Sequence, residues 1–259
     1  DSLFVTLDHF DNELAFGISN GALNGVLRRQ NKTGIPTPVL AERNKDYRFE
    51  SNNIAPLADF SGTYDISFSY NDGQTEKAVG LFTQKGNQLT ATFLRITGDS
   101  RFLQGTVEGD QFYLSSFIGS GPSFYRGSFT TDCKINGANV NARCETKFTG
   151  MLNEEAALPD TEKLTYLKQG YKTLDIAFPD ANGKIVSSKD ARYKNKVLII
   201  TITGTWCPNC IDEAYFLAPW YRQHKSRGVE VLALHYERQT DIAYVRKALT
   251  KFRNKYGIE

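Results

Sequence analysis

"KVLIITITGTWCPNC", Lys196 to Cys210, joins an unbroken apolar run to two cysteines separated by Pro208 and Asn209. The run from Val197 to Ile202 predicts a strand buried on both faces. A helical segment is expected to open at the cysteines and to run to about Ser226. "GVEVLALHY" (228–236) reads as a second buried strand. "TDIAYVRKALTKFRNKYG" (240–257) reads as a helix. Thr240 or Asp241 can cap it, and Ile242, Val245, Leu249 and Phe252 follow at helical spacing. Strand, helix, strand, helix indicates an α/β domain with a parallel core.

Upstream, "LDIAFPDANGKIVS" (174–187) predicts a small hairpin turned at Asn182-Gly183. Before it, "MLNEEAALPDTEKLTYLKQG" (151–170) is polar and broken at Pro159-Asp160, as a linker would be. From about Gly62 to Thr149 the pattern changes to short alternating strands. "GTYDISFSY" sets Tyr64, Ile66, Phe68 and Tyr70 on one face, and "QLTATFL" does the same with Leu89, Ala91 and Phe93. Turns such as "NDG", "KGN" and "EGD" recur about every ten residues, which predicts an antiparallel sandwich or barrel. In residues 1–60, "ELAFGI" and "GVLRR" look strand-like, whereas "TGIPTPV", with Pro36 and Pro38, reads as loop. The expected division is therefore a mostly antiparallel β domain over 1–150, a linker over 151–172 and an α/β domain over 173–259.

The chain has 259 residues with 40% hydrophobic and 23% charged, which suits a globular protein with real cores. A net charge of +2, with the basic residues scattered, argues against nucleic acid or an anionic membrane as the main partner. No apolar stretch approaches the ~20 residues needed to span a bilayer. The first residue is Asp1 rather than Met, so the chain is expected to be either processed, with a signal peptide removed, or trimmed.

A Cys-x-x-Cys pair can be a metal clamp, a staple or a redox switch. Structural zinc needs four ligands, and neither His224 nor His235 has finger spacing, so no metal is expected. Copper relay suits thiolates, but a Cys-x-x-x-Cys spacing with a later histidine would suit it better. A staple between Cys207 and Cys210 closes almost no loop and constrains little. The redox reading has a mechanism. At a strand-to-helix junction the helix N-terminus favours a thiolate and is expected to lower the pKa of Cys207. Cys210, about one turn on, can then resolve the mixed disulfide. Pro208 suits the first helical position, and Asn209 bears on the potential. Trp206 is either a flat shoulder beside the nucleophile or core packing. Glu213, six residues past Cys207, is either a proton acceptor that tunes the thiols or an ordinary acid near a helix N-terminus.

"KVLIITITGTWCPNCIDEAYFLAPWY" resembles the active-site segment of the TlpA/ResA-like thiol-disulfide oxidoreductases, within the thioredoxin-like and AhpC/TSA grouping. The preceding "LDIAFPDANGKIVSSKDARYKNKV" resembles that family's leading hairpin, so the likeness covers about residues 158–259. It implies a thioredoxin fold, a periplasmic or cell-envelope location and reduction of protein disulfides. Electrons would come from an upstream thiol donor, with no cofactor beyond the Cys207–Cys210 dithiol. It also implies a tuning role for Glu213. The β-rich half resembles the extra N-terminal domain of some bacterial members, notably from Bacteroidetes-like lineages. Peroxide-reducing relatives are less similar, because "TITGTW" lacks their Pro-x-x-x-Thr/Ser-x-x-Cys context. A complete thioredoxin fold continues with two more strands, a cis-proline loop and a helix. The chain is therefore expected to be a piece of a longer protein, truncated within that domain.

Cys133 and Cys144 straddle "NGAN". A hairpin centred at Ala138-Asn139 would set them opposite one another, so they are a candidate structural disulfide; otherwise they are two separate thiols on a β surface. A rival function is a binding module. In it the β domain holds a partner or apolar ligand through Phe112, Tyr113, Phe117, Phe124, Tyr125 and Phe129, and the truncated redox domain is inactive. Such aromatics are more often simple core.

Overall fold

A computed structural model describes residues 2–49, 52, 54–141 and 144–258. The chain divides into two compact units, Asp1–Leu164 and Thr165–Glu259. This division falls later than residue 150, because the last strand of the first unit runs to Leu152 and Leu152 packs on its core.

The first unit begins with a four-stranded antiparallel sheet: β1 (Ser2–Leu7), β2 (Asn12–Ser19), β3 (Ala22–Arg29) and β4 (Thr37–Ala41). Pro38, expected in a loop, lies inside β4 opposite Val26. β4 is an edge strand, where a residue without an N–H costs no ladder bond. The buried Asn12 ties this sheet to the next one, donating to the carbonyls of Gly119 (2.9 Å) and Ser120 (3.2 Å).

The strands that follow are β5 (Gly62–Ser69), β6 (Thr75–Lys85), β7 (Gln88–Arg95), β8 (Gly98–Asp99), β9 (Leu103–Glu108), β10 (Gln111–Phe117), β11 (Pro122–Phe129), β12 (Lys134–Val140) and β13 (Glu145–Leu152). Each pairs antiparallel with its neighbours, and β13 returns to β5. Leaving aside the two-residue β8, eight strands close into an up-and-down barrel. Closure leaves these eight strands without an open edge. An eight-stranded barrel is just wide enough to be filled by its own side chains. Here Phe68, Phe93, Phe112, Phe129 and Phe148 are fully buried together with Ile66, Leu89 and Leu114. Phe60 stacks on Phe129 at 4.3 Å, and Phe93 meets Phe68, Phe82, Tyr125 and Phe148. Tyr64, Ile66, Phe68 and Leu89, Ala91, Phe93 face inward as the alternation predicts; Tyr70, at a strand end, is exposed.

The proposed Cys133–Cys144 pairing is corrected by the register. "NGAN" lies inside β12, and Lys134 pairs with Met151 while Val140 pairs with Glu145. Cys133 therefore sits beside Leu152 and Cys144 beside Asn141, at opposite ends of the hairpin. Eight residues of strand separate the two levels, about 26 Å at ~3.3 Å per residue, far beyond disulfide reach. Both are exposed free thiols.

In the second unit, β14 (Ala177–Pro179) and β15 (Ile185–Ser187) form the hairpin. Asp180 accepts from the amides of Asn182 and Lys184 in its turn. β16 (Val197–Thr203) and β17 (Val229–His235) are parallel, connected by helix α1 (Pro208–His224). Helix α2 (Ile242–Tyr256) is capped by Asp241, which accepts from the amide of Tyr244 at 2.7 Å. Tyr215 of α1 meets Tyr256 of α2 edge to face at 4.7 Å, and Arg222 donates to the Gly257 carbonyl. β16 is not buried on both faces. Leu198 to Thr201 are half-buried and Ile202 is 72% exposed, because among the described residues β16 pairs with β17 alone.

Truncating Phe93 to alanine is expected to destabilise the barrel by ~3–5 kcal/mol in urea unfolding followed by circular dichroism. Phe117→Ala, at an exposed position, should cost under ~1 kcal/mol. Equal effects would contradict the filled interior. Alkylation and non-reducing peptide mapping should return Cys133 and Cys144 as two separately labelled thiols; a bridge between them would overturn the register.

Candidate active site

The chain leaves β16 at Thr203 and makes one tight turn before α1. The amide of Cys207 donates to the Gly204 carbonyl at 3.1 Å. A Cβ on Gly204 would come within 2.7 Å of the Trp206 indole nitrogen and 3.0 Å of the Tyr236 carbonyl, so this close approach requires glycine. Cys207 is extended (φ −91°, ψ 117°) and caps α1, with Pro208 at the first helical position. Its Sγ accepts from the Cys210 amide at 3.4 Å, the part a serine oxygen commonly plays at a helix start. Both cysteines are half-buried. The junction thus brings Cys207 and Cys210 together as their spacing predicts, with the backbone amide of Asn209 also facing the Cys207 sulfur.

The expected lowering of the Cys207 pKa does not occur. Burial pushes the thiol above its ordinary 9.0, and the hydrogen bond with the Cys210 thiol adds to the rise. The amides of Cys210 and Asn209 pull the other way without offsetting it. Glu213 lies one turn beyond Cys210. Its side chain reaches solvent, yet the surrounding protein desolvates the carboxyl enough to push it above 4.5. Burial is the cause of that rise, rather than a charge at the sulfurs. Trp206 is pinned: its Nε1 donates to the Tyr236 carbonyl at 2.8 Å, and the Arg238 guanidinium lies 4.2 Å over its ring.

One residue escaped the sequence reading. Glu237, just past β17, has a side chain only 3% exposed. It accepts from the Thr205 amide at 3.0 Å and the Thr205 hydroxyl at 2.8 Å, with His235 Nδ1 3.5 Å away. Burial alone would push this carboxyl up. The His235 contact and the two Thr205 bonds together outweigh it, and the net direction is down from 4.5. The signal available was positional: an acid at the C-terminal end of a parallel strand, where such sheets place their sites.

The rival's aromatics divide. Phe112, Tyr125 and Phe129 are barrel core. Tyr113 and Phe124 pack on Phe49, outside it. Phe117 lines an open cleft of about 280 Å³ with Arg48, Arg101 and Phe102. Among the described residues, no three His, Cys, Asp or Glu side chains are grouped to hold a metal ion.

A family model described as the AhpC/TSA family matches residues 170–259. Proteins named thiol-disulfide oxidoreductase ResA from Bacillus thuringiensis (strain Al Hakam) and Bacillus anthracis are each 32% identical over 100 residues, 39% of this chain and 51% of theirs. The same-named protein of Bacillus subtilis (strain 168) is 28% identical over 92 residues, 36% of this chain and 47% of its own. The C-terminal unit is thus similar to the AhpC/TSA family and to proteins named ResA. The chain spans about half the length of these curated relatives. A redesigned beta barrel aligns at a TM-score of 0.30 and 12% identity, covering 37% of this chain and 92% of its own, too loosely to bear on the fold. The junction carrying Cys207 and Cys210 falls within the AhpC/TSA match, and the barrel lies outside it. No helix among the described residues is long and apolar enough to cross a membrane.

The lowered Glu237 carboxyl gives the ResA-like unit a defined acid response. Its contribution to stability is complete above the unfolded carboxylate pKa and is lost as pH falls through the lowered folded value. Glu237→Gln is therefore expected to flatten the fall of unfolding free energy below about pH 4.5. A variant whose acid limb is as steep as the parent's would contradict this.

Proposed function

We propose that this chain is a thiol-disulfide oxidoreductase that reduces disulfides of cell-envelope proteins through Cys207 and Cys210. The observation that carries this reading is the Cys207 sulfur at the N-terminus of α1, accepting from the Cys210 amide. Cys207 loses its proton and its thiolate attacks one sulfur of a protein disulfide. The other substrate sulfur leaves as a thiolate and takes up a proton. Cys210, also as thiolate, then attacks Cys207 in the mixed disulfide. The second substrate sulfur is released, and the pair ends oxidised as a Cys207–Cys210 disulfide. An upstream thiol donor would return two electrons to it. No cofactor beyond the dithiol is required.

The reducing direction is supported by the Cys207 environment. A thiol held above its ordinary pKa is a stronger nucleophile once ionised and a poorer leaving group from a disulfide. Burial makes the Glu213 carboxyl hold a proton more readily than an ordinary carboxylate, and we assign it the tuning role. Trp206, fixed by Tyr236 and Arg238, would form the flat shoulder beside the nucleophile. The names of the curated relatives, thiol-disulfide oxidoreductase ResA, support the same chemistry. The rival binding module draws little support from the barrel, whose interior is filled by its own aromatics.

In a dithiothreitol-driven insulin reduction assay the chain should accelerate precipitation, and Cys207→Ser should abolish the effect. Cys210→Ser should instead accumulate a mixed disulfide, visible by mass in non-reducing conditions. An unaltered chain no faster than the Cys207→Ser variant would defeat the proposal.

A further inference from the structure

The nucleophile's loop is gripped by the three residues that follow β17. The Tyr236 amide donates to the Thr203 carbonyl at 2.8 Å, and the Tyr236 carbonyl accepts from Trp206 at 2.8 Å. Arg238 lies over the Trp206 ring. Between them Glu237 spends both carboxylate oxygens on one residue, the buried Thr205. Thr205 is two residues from Cys207, and the Cys207 amide is bonded back to Gly204. Little slack remains between this clamp and the sulfur.

We infer that Glu237 is a positioning residue for Cys207: its carboxylate fixes the Thr203–Trp206 turn and thereby delivers the Cys207 sulfur to the N-terminus of α1. This rests on the dithiol reading above. The requirement for an acid follows from the donors. Thr205 presents an amide and a hydroxyl, and a carboxylate offers each an acceptor oxygen. A glutamine offers one acceptor and one donor, and alanine offers neither. The charge is tolerated at 3% side-chain exposure because His235 lies 3.5 Å from Oε1 and both oxygens are hydrogen-bonded. If the clamp loosens, the sulfur loses its fixed relation to the Cys210 amide. Both the ease of ionisation and the balance between dithiol and disulfide then change.

The test compares Thr205→Ser, which keeps the hydroxyl, with Thr205→Val, which removes it at nearly constant volume, and with Glu237→Gln. Two readouts are taken. One is the rate of Cys207 alkylation by iodoacetamide at fixed pH, followed on the Cys207 peptide by mass spectrometry. The other is the midpoint of Cys207–Cys210 oxidation in glutathione buffers. Thermal unfolding establishes that each variant is folded. Thr205→Val and Glu237→Gln are expected to change the alkylation rate by about threefold or more and to move the midpoint, with Thr205→Ser within about twofold of the parent. Folded Thr205→Val with parental rate and midpoint overturns the inference, even if its melting temperature has dropped. If Glu237→Gln does not fold, the two Thr205 variants decide. Alkylation reads the Cys207 thiol whether or not the chain reduces insulin, so failure of the functional reading is scored separately.

Discussion

The amide of Cys210 points out of the first turn of α1 and needs an acceptor, and the Cys207 sulfur is the atom that meets it. Much of the site follows from that contact. It fixes Cys207 as the cap, puts proline where a missing N–H costs nothing, and sets the second cysteine one turn from the first. The same contact shows why a helix N-terminus need not yield an acidic thiol. The amides act on a sulfur that is half-buried and bonded to a second thiol, and desolvation wins.

The barrel follows a different constraint. Alternation at period two puts one row of each strand inside, and eight strands leave room for side chains and little else. The inner row is therefore aromatic, and rings meeting edge to face fill the space. Arg95 closes the packing at a strand end, its guanidinium 3.9 Å over Phe68 and paired with Glu76, which also accepts from Tyr70. These interactions account for the inward-facing aromatics of residues 62–152 as core.

Local chemistry was legible in the sequence, and pairing across distance was less so. The rows Tyr64–Ile66–Phe68 and Leu89–Ala91–Phe93 could be read because alternation is a property of one strand. Closure of β13 onto β5 could not, since it joins residues some eighty apart and leaves no mark in either strand. "NGAN" misled for a physical reason. Asn-Gly favours a tight turn, but in β12 Gly137 meets Gly127 on one side and Phe148 on the other, so the strand runs straight through it. The register instead pairs Val140 with Glu145, which sets Cys133 beside Leu152 and Cys144 beside Asn141. Cys207 and Cys210 were legible because motif and junction coincide in fifteen residues. Glu237 was not, because its partner Thr205 is thirty-two residues away and neither is unusual by itself.

In the second unit the segment carrying the cysteines is tied to both ends of β17. Among the described residues β16 has one neighbouring strand and lacks the two-sided burial that its sequence suggests. Side-chain carboxylates at the two ends of β17 supply part of the fixation instead. At its start Glu230 accepts from Lys196, which precedes β16, and from Tyr221 of α1 at 2.8 Å, joining both strands to the helix. Just past its end Glu237 holds Thr205. The first acid is half-buried, its side chain still 19% exposed, and its ion pair with Lys196 remains partly screened by solvent. The second is buried, where losing either partner would strand a polar group away from water, so its geometry is far less free to drift. The more deeply buried of the two carboxylates is therefore the one that holds the turn before Cys207.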